Sequence, residues 1–364
     1  MSDVGGVIET PSFNQSSVNN QTDRSALCGQ IDTSTHLFFM LVYSLVFLMG
    51  LLLNGFTLKV YFCRAQQQTS SSVTIYLKNL AASDFLISLC LPIRITNYAS
   101  SSVPVRRVYC NFGASAFYLN MYASILFMGY IAANRYLKIV HPLGTHILQT
   151  VRAAHIISTV TWVFLLAMTS TYITLSLLTQ EPLPSVPNTV SCDVLHSDQL
   201  SLLYKIIHSF SAAIFLVVLV SLIFFYYSTS RRLSLAQQRQ PVSSGSKKLA
   251  KSRRNMLVLV SVFCVCFVPY HLVRLPYAFL KRCTWEQAFF YLKELTILVS
   301  VFNVCLDPLI YFIFCKAFRA QLSLRRVFSI TQAAENTERR SSDGRVSASK
   351  INTKTSVTKQ TSVL

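Results

Sequence analysis

Charge is scarce in this sequence. Only 13% of its 364 residues are Asp, Glu, Lys or Arg, where a soluble globular protein carries about 25%. Acidic residues are the scarcest, 14 against 33 Lys and Arg. Glycine and proline are also low, at 10 and 11 residues, which excludes a collagen-like chain. A composition that is 52% hydrophobic excludes global disorder. Ten cysteines spread over 364 residues do not make a small disulfide scaffold. Nor is there a close metal-ligand spacing, a CxxC pair outside the apolar stretches, or a Ser/His/Asp or Cys/His grouping, so neither a metal centre nor an enzyme is indicated. The charge that remains has one sign, a net +19. Two classes survive: a membrane protein with basic loops, and a basic binder of nucleic acid.

Seven long apolar stretches favour the first: roughly 37–62, 73–98, 107–139, 151–178, 201–229, 253–280 and 286–314. Each exceeds the ~20 residues that cross a hydrocarbon core. Lipid offers no partners for open backbone groups, so each must be a helix. The sequence therefore predicts an all-α membrane protein, a seven-transmembrane helix bundle. A transporter is the competing class, but no inverted repeat or pair of broken helices supports it.

Lys and Arg in the loops orient the bundle. Residues 231–254 hold Arg231, Arg232, Arg239, Lys247, Lys248, Lys251, Arg253 and Arg254 with no Asp or Glu, and the tail from Lys316 holds ten more cations. The first 36 residues hold only Arg24, against Asp3, Glu9, Asp23 and Asp32. The expected topology has the N-terminus outside and the tail in the cytoplasm, at the plasma membrane. No apolar signal peptide precedes the first span. Asn14 and Asn20 stand in glycosylation sequons on the outer side. The basic loop is expected to meet anionic membrane lipid rather than nucleic acid.

Cys28, Cys110, Cys192 and Cys283 fall outside the spans; four cysteines allow three connectivities, and the sequence alone does not choose. Polar residues at membrane depth are costly and therefore informative. They are Asn54 in the first span, Asp84 in the second, and Asn303 and Asp307 in the seventh, followed by Pro308 and Tyr311. Asn134-Arg135-Tyr136 closes the third span, Trp162 lies in the fourth, and Pro269 interrupts the sixth, where it should kink the helix.

In order and spacing these residues resemble the rhodopsin-like G-protein-coupled receptors over about residues 37–326. The carriers are LLLNG, NLAASDF, Cys110 lying 25 residues before Arg135, Trp162, FCVCFVPYH and DPLIY. The resemblance implies a Cys110–Cys192 disulfide and coupling to a heterotrimeric G protein through Arg135. It implies a sodium and water network at Asp84, Asn303 and Asp307, with Asn54 beside it. It assigns activation roles to Tyr226 (in a register uncertain by one with Tyr227), Phe267, Pro269, Pro308 and Tyr311. Lys316–Arg326 resembles a short amphipathic eighth helix. The expected organisation is an extracellular segment 1–36, a receptor domain 37–315, an amphipathic helix 316–328 and a disordered cytoplasmic tail 329–364. Three departures stand out. Asn134 replaces the family's acidic residue, which predicts weaker restraint of the resting state; Phe267 replaces its usual Trp; and Asp307 replaces its usual Asn.

Within that family the chain resembles the purinoceptors for ADP and UDP-sugars, with their lipid and orphan relatives. Phe267, Asp307, CFVPYHLVRLPY, YLKELT and FYLNMYAS carry this second resemblance, and Cys28 with Cys283 matches a second outer disulfide of the branch. The expected ligand-binding residues are Tyr118, Tyr122, His271, Arg274, Tyr277, Lys293, Glu294, Lys205 and Arg94. Arg274 offers a planar fork and Lys293 a point charge for phosphate, and Tyr118 and Tyr277 offer stacking faces. No acidic residue stands near the outer third helix, which disfavours a cationic amine. The expected ligand is an extracellular nucleotide or nucleotide sugar, signalling through a Gi-type protein, with a lysophospholipid as the alternative. Thr171-Tyr172 stands where the nucleotide branch has Pro-Asn, which keeps that alternative open. No cofactor is expected. The Ser/Thr-rich tail is expected to meet receptor kinases and arrestin, and Ser362-Val363-Leu364 fits a C-terminal motif read by PDZ domains.

Overall fold

Lipid-exposed apolar side chains and buried polar ones determine how this chain is arranged. The computed structural model describes residues 33–64, 71–100, 102–141, 146–179, 192, 197–239, 244–279 and 286–314. Seven helices long and apolar enough to cross a membrane account for nearly all of them. They are α1 (Thr33–Arg64), α2 (Ser72–Ala99), α3 (Val103–Val140), α4 (Val151–Leu178), α5 (Asp198–Arg239), α6 (Ser244–Phe279) and α7, which runs as two segments, Glu286–Val301 and Asn303–Phe314. The expected eighth helix, the sequons at Asn14 and Asn20, and Cys28 and Cys283 lie outside the described residues.

Local chemistry starts several of these helices. Ser71 Oγ accepts from the Thr74 amide at 3.3 Å at the head of α2, and Thr150 Oγ1 accepts from the Ala153 amide at 3.2 Å at the head of α4. Each satisfies one of the amides a helix N-terminus leaves unpaired. Near its start α3 makes a π-helical turn at Tyr109–Gly113, which inserts an extra residue and re-aims Tyr109 and Cys110. In α7 the ladder is interrupted at Phe302, whose amide is shared between the Leu298 and Val299 carbonyls.

α3 is the central strut, touching α2, α4, α5 and α6. α1 packs on α2 and α7, and its Leu41, Leu45, Leu48 and Leu52 remain exposed on the outer face. Between helices in lipid, close approach and hydrogen bonds replace the hydrophobic drive of water-soluble cores. Asn54 Nδ2 donates to the Val304 carbonyl at 2.9 Å, Trp162 Nε1 to Asn79 Oδ1 at 2.9 Å, and Ser83 and Ser124 share a bond at 2.9 Å. Gly50 permits the closest approach: a Cβ there would overlap Ser88 and Val304.

α5 and α6 are longer than hydropathy predicts. The apolar stretches stop near 229 and start near 253, whereas the helices run to Arg239 and begin at Ser244. Leu233 on α5 and Ser246 on α6 lie beyond those limits and are still buried, so packing continues past the apolar limit.

Candidate functional site

At the Cys110 end, six helices enclose about 1120 Å³ of unoccupied space, part of it open to solvent. The Cys110–Cys192 disulfide, with Cα atoms 5.6 Å apart, forms part of its rim. Arg274 on α6 and Lys293 on α7 line the same cavity, both buried. The guanidinium of Arg274 lies over the rings of Tyr204, Tyr118 and Tyr277, at 5.2, 5.5 and 5.7 Å, and approaches His208 Nε2 at 3.4 Å. Lys293 Nζ lies 4.7 Å from the centroid of the same Tyr277 ring and 4.4 Å from that of Phe290. One aromatic ring thus touches both cations, a contact that favours charge held away from water.

Glu294, the next residue on α7, ties the wall together. Its Oε1 meets Lys293 Nζ at 3.1 Å, and its Oε2 accepts from Arg94 on α2 and from the Tyr98 hydroxyl, both at 2.5 Å. Arg94 also donates to the Tyr109 hydroxyl at 2.8 Å and lies among the rings of Tyr43, Tyr98, Tyr109 and Phe117. Arg94 therefore faces the cavity with its charge already engaged inside the wall. Among the described lining residues, Glu294 is the single carboxylate against Arg94, Arg274 and Lys293. The wall keeps a positive excess suited to an anion.

His271 sits deeper. Its Nδ1 contacts the Phe267 carbonyl at 2.8 Å, which makes Nδ1–H the donor and leaves Nε2 to accept from the Tyr122 hydroxyl at 3.1 Å. The imidazole stacks on Phe215, ring centroids 3.7 Å apart. Of the residues expected from sequence, Tyr118, Tyr122, Arg94, Arg274, Lys293 and Glu294 line the cavity. His271 supports Tyr122, Tyr277 underlies the two cations, and Lys205 is outside the lining. Sequence reading missed Tyr204 and His208, although their i, i+4 spacing on α5 marks one helix face. It also missed an apolar arm between α4 and α5 formed by Phe164, Leu165, Met168, Ile207, Phe210 and Ile214.

A second polar cluster lies mid-bundle. Asp84 accepts from Tyr311 at 2.6 Å, Ser124 at 3.1 Å and Asn303 at 3.3 Å. Asp307 is fully buried, and neither of its carboxylate oxygens meets a donor among the described residues. Two buried carboxylates with acceptor capacity left over suit a cation or ordered water.

At the Arg135 end, Asn134 Nδ2 donates to Ser72 Oγ at 2.8 Å instead of engaging its neighbour. Arg135 donates to the Phe314 carbonyl at 3.2 Å, and its guanidinium lies 4.7 Å from the centre of the Phe314 ring. Tyr136 stacks on Phe225 at 4.9 Å. Tyr226 is half-buried on α5, Phe267 is fully buried, and Pro269 and Pro308 both lie inside their helices.

Residues 53–311 match the 7 transmembrane receptor (rhodopsin family). The chain belongs to that family. This receptor is 36% identical to purinoceptor 14 of Bos taurus over 290 residues, 78% of this chain and 83% of that one. It is 33% identical to G-protein coupled receptor 87 of Mus musculus over 82% of each chain. It is 28% identical to lysophosphatidic acid receptor 6 of Gallus gallus, over 79% of this chain and 93% of that receptor. These relatives span the purinoceptor, orphan and lipid-receptor branch that the motifs resemble. The receptor is accordingly a seven-span membrane protein that couples to a heterotrimeric G protein, not an enzyme.

Proposed function

We propose that this receptor lies in the plasma membrane with its N-terminus and the Cys110 end outside. It detects an extracellular anionic, phosphate-bearing ligand, most suitably a nucleotide or nucleotide sugar, and signals through a Gi-type G protein. The carrying observation is the convergence of Arg274 and Lys293 on one cavity and one ring, Tyr277. Arg supplies a bidentate fork for phosphate oxygens and Lys a compact charge. Tyr118 and Tyr204 beside Arg274 provide faces on which a base or sugar can rest. The name of the related purinoceptor 14 agrees with nucleotide-type chemistry.

The proposed mechanism is population shift. Phosphate binding draws the outer ends of α6 and α7 together through Arg274 and Lys293. Pro269 lets the inner half of α6 swing outward. Arg135 leaves Phe314, Tyr311 leaves Asp84, and both, with Tyr226, hold the opened G-protein cleft. The carboxylates of Asp84 and Asp307, with Asn303 and Asn54, act as the sodium and water network of the resting state. The tail is phosphorylated at Ser and Thr to recruit arrestin, and Ser362–Leu364 meets a PDZ domain.

A lysophospholipid is the second reading. The apolar arm between α4 and α5 favours it, because a phosphate held at Arg274 would leave an acyl chain in contact with Phe164, Met168 and Ile214. A G-protein dissociation assay against nucleotides, nucleotide sugars and lysophospholipids decides between them. A response to a nucleotide-type compound that is lost in Arg274→Ala and Lys293→Ala at normal surface expression is the expected result. A response to lysophospholipids alone establishes the second reading, and intact responses in both variants reject the pocket.

A further inference from the structure

A second basic hollow lies at the opposite end of the molecule, on the seam between α5 and α6. It is a shallow hollow of about 900 Å³, much of it open to solvent, lined by Tyr226 of α5 and by Lys247, Ala250, Lys251, Arg253, Arg254 and Leu257 of α6. We propose that this hollow binds the head group of a multiply phosphorylated membrane lipid, a phosphoinositide of the inner leaflet. The inference is independent of the ligand proposed for the Arg274 cavity. It requires only that the Arg135 end be cytoplasmic, as proposed above.

Three observations carry it. The first is charge. Lys247, Lys251 and Arg254 are spaced i, i+4, i+7 and so share one face of α6, with Arg253 beside them. No Asp or Glu occurs between residues 231 and 254, so no carboxylate of that segment neutralises them. One phosphate needs one or two cations. Four around a single hollow match a head group carrying several phosphates.

The second is direction. Continuing up α6, the face of Arg254 becomes Leu257, Ser261, Val265 and Leu272, all exposed. That is the face the bundle presents to lipid. The face turned toward the other helices is a different one, carrying Met256, Leu259, Phe263 and Phe267, all buried. The hollow therefore opens toward the surrounding membrane, away from the cleft beside Arg135.

The third is depth. Leu257 is exposed and apolar, and Arg254 stands one turn further along α6, about 5 Å toward the cytoplasm. An apolar floor below a ring of cations is the profile met at the boundary between acyl chains and head groups. Basic pockets between spans on the cytoplasmic side suit polyanionic head groups. In this arrangement, before the inner half of α6 swings, Tyr226 lines the hollow from α5, so an occupant touches both helices. It acts on the end of α6 that activation is proposed to move.

The test uses the purified full-length receptor in phosphatidylcholine nanodiscs containing a fluorescent phosphatidylinositol bisphosphate, read by energy transfer to a labelled receptor. Each cation of the hollow that meets the head group is worth a factor of about five in binding. Lys251→Gln/Arg254→Gln should weaken binding about thirtyfold. Lys59→Gln/Arg152→Gln removes equal charge from the same side elsewhere and should leave binding unchanged. Phosphatidylserine at matched charge should compete poorly, and soluble inositol trisphosphate should not displace the lipid at equal concentration. Equal losses in both double variants, or equal competition by phosphatidylserine, reduces the effect to general surface attraction and overturns the site. Full displacement by the soluble head group overturns the membrane-lipid assignment. If the α6 double variant melts early, Arg254→Gln alone should still lose about fivefold, and the charge-preserving Lys251→Arg should lose nothing. Antibody access to an N-terminal tag on intact cells checks sidedness separately.

Discussion

Arg94 and Glu294, 200 residues apart in sequence, form an ion pair at 2.5 Å that joins α2 to α7 beneath a lid of aromatic rings. Both side chains are almost wholly buried. Taking two charges out of water costs several kcal/mol per ion, and their attraction repays it only when both are present. Arg94→Ala should therefore leave Glu294 with Lys293 and Tyr98 alone, and lower stability by about 3–5 kcal/mol. Glu294→Ala strands the guanidinium and should do similar damage. The double replacement Arg94→Met/Glu294→Leu removes both charges while keeping volume and leaves only Lys293, at the cavity wall, without its carboxylate; it should melt closer to wild type than Glu294→Ala, which strands two cations. Thermal melting of the purified receptor measures this. Additive losses in the double variant would show that the two residues act separately.

Arg274 and Lys293 are the proposed phosphate cations of the cavity, and Lys293 shares Glu294 with Arg94. A hydrogen bond to a charged group contributes about 1.5–3 kcal/mol. Arg274→Ala and Lys293→Ala should each raise the half-maximal agonist concentration about tenfold to more than a hundredfold; Arg274→Ala should change the melting temperature little, whereas Lys293→Ala also removes a partner of buried Glu294 and should lower it. Arg274→Lys keeps the charge but loses the planar fork and should recover only part of the response. Tyr277→Leu removes the ring shared by both cations and should weaken the response by less than either alanine variant. Dose–response curves at matched surface expression test the order, and an unchanged Arg274→Ala curve contradicts it.

Hydropathy made the seven spans legible because lipid leaves a helix no other way to satisfy its backbone. It could not find the ends of α5 and α6, since the turns beyond Thr229 and before Arg253 are polar, although Leu233 and Ser246 there are buried. Arg274 and Lys293, picked out by motifs, do meet in one cavity. The cage around Arg94 was not readable. Its rings, Tyr43, Tyr98, Tyr109 and Phe117, come from three helices, and only packing brings them together. Sequence therefore placed Arg94 among the ligand cations without revealing that Glu294 already holds it. The apolar arm escaped for a related reason. In a membrane protein, apolar residues on α4 and α5 look the same whether they face lipid, a neighbouring helix or a cavity.

Two glycines on α1 offer a matched test of packing. A Cβ at Gly50 would overlap both Ser88 and Val304, whereas a Cβ at Gly55 would meet only Phe85 at an ordinary 3.5 Å. Neither neighbour of Gly50 can withdraw freely, because Ser88 is bonded to the Asp84 carbonyl and Val304 accepts from Asn54. Gly50→Ala should reduce folded receptor at the cell surface and lower its melting temperature, by about 1–3 kcal/mol for overpacking. Gly55→Ala should be neutral or slightly stabilising, since alanine restricts the unfolded chain. Equal behaviour of the two variants would mean that α1 is free to shift away from α2 and α7.

Asn134 bears on how firmly the resting receptor is held. Its amide donates to Ser72 on α2, and Arg135 is left to bond with the Phe314 carbonyl at the end of α7. An aspartate at 134 would still accept from the Ser72 hydroxyl and would add a carboxylate beside Arg135, holding the guanidinium in its resting position. Position 134 is buried and Arg135 half-buried; even at about 1 kcal/mol, the worth of an exposed pair, the resting-to-active ratio shifts about fivefold toward rest. Asn134→Asp should therefore lower ligand-independent G-protein dissociation, with the agonist maximum preserved. Ser72→Ala, which removes the partner of Asn134 without adding charge, should not lower it. The measurement is basal dissociation in cells at matched surface expression with no ligand present. Equal basal activity in Asn134→Asp and wild type would show that the contacts Arg135 already makes, the Phe314 carbonyl among them, set its restraint, and that the missing acid at position 134 has no bearing on the resting state.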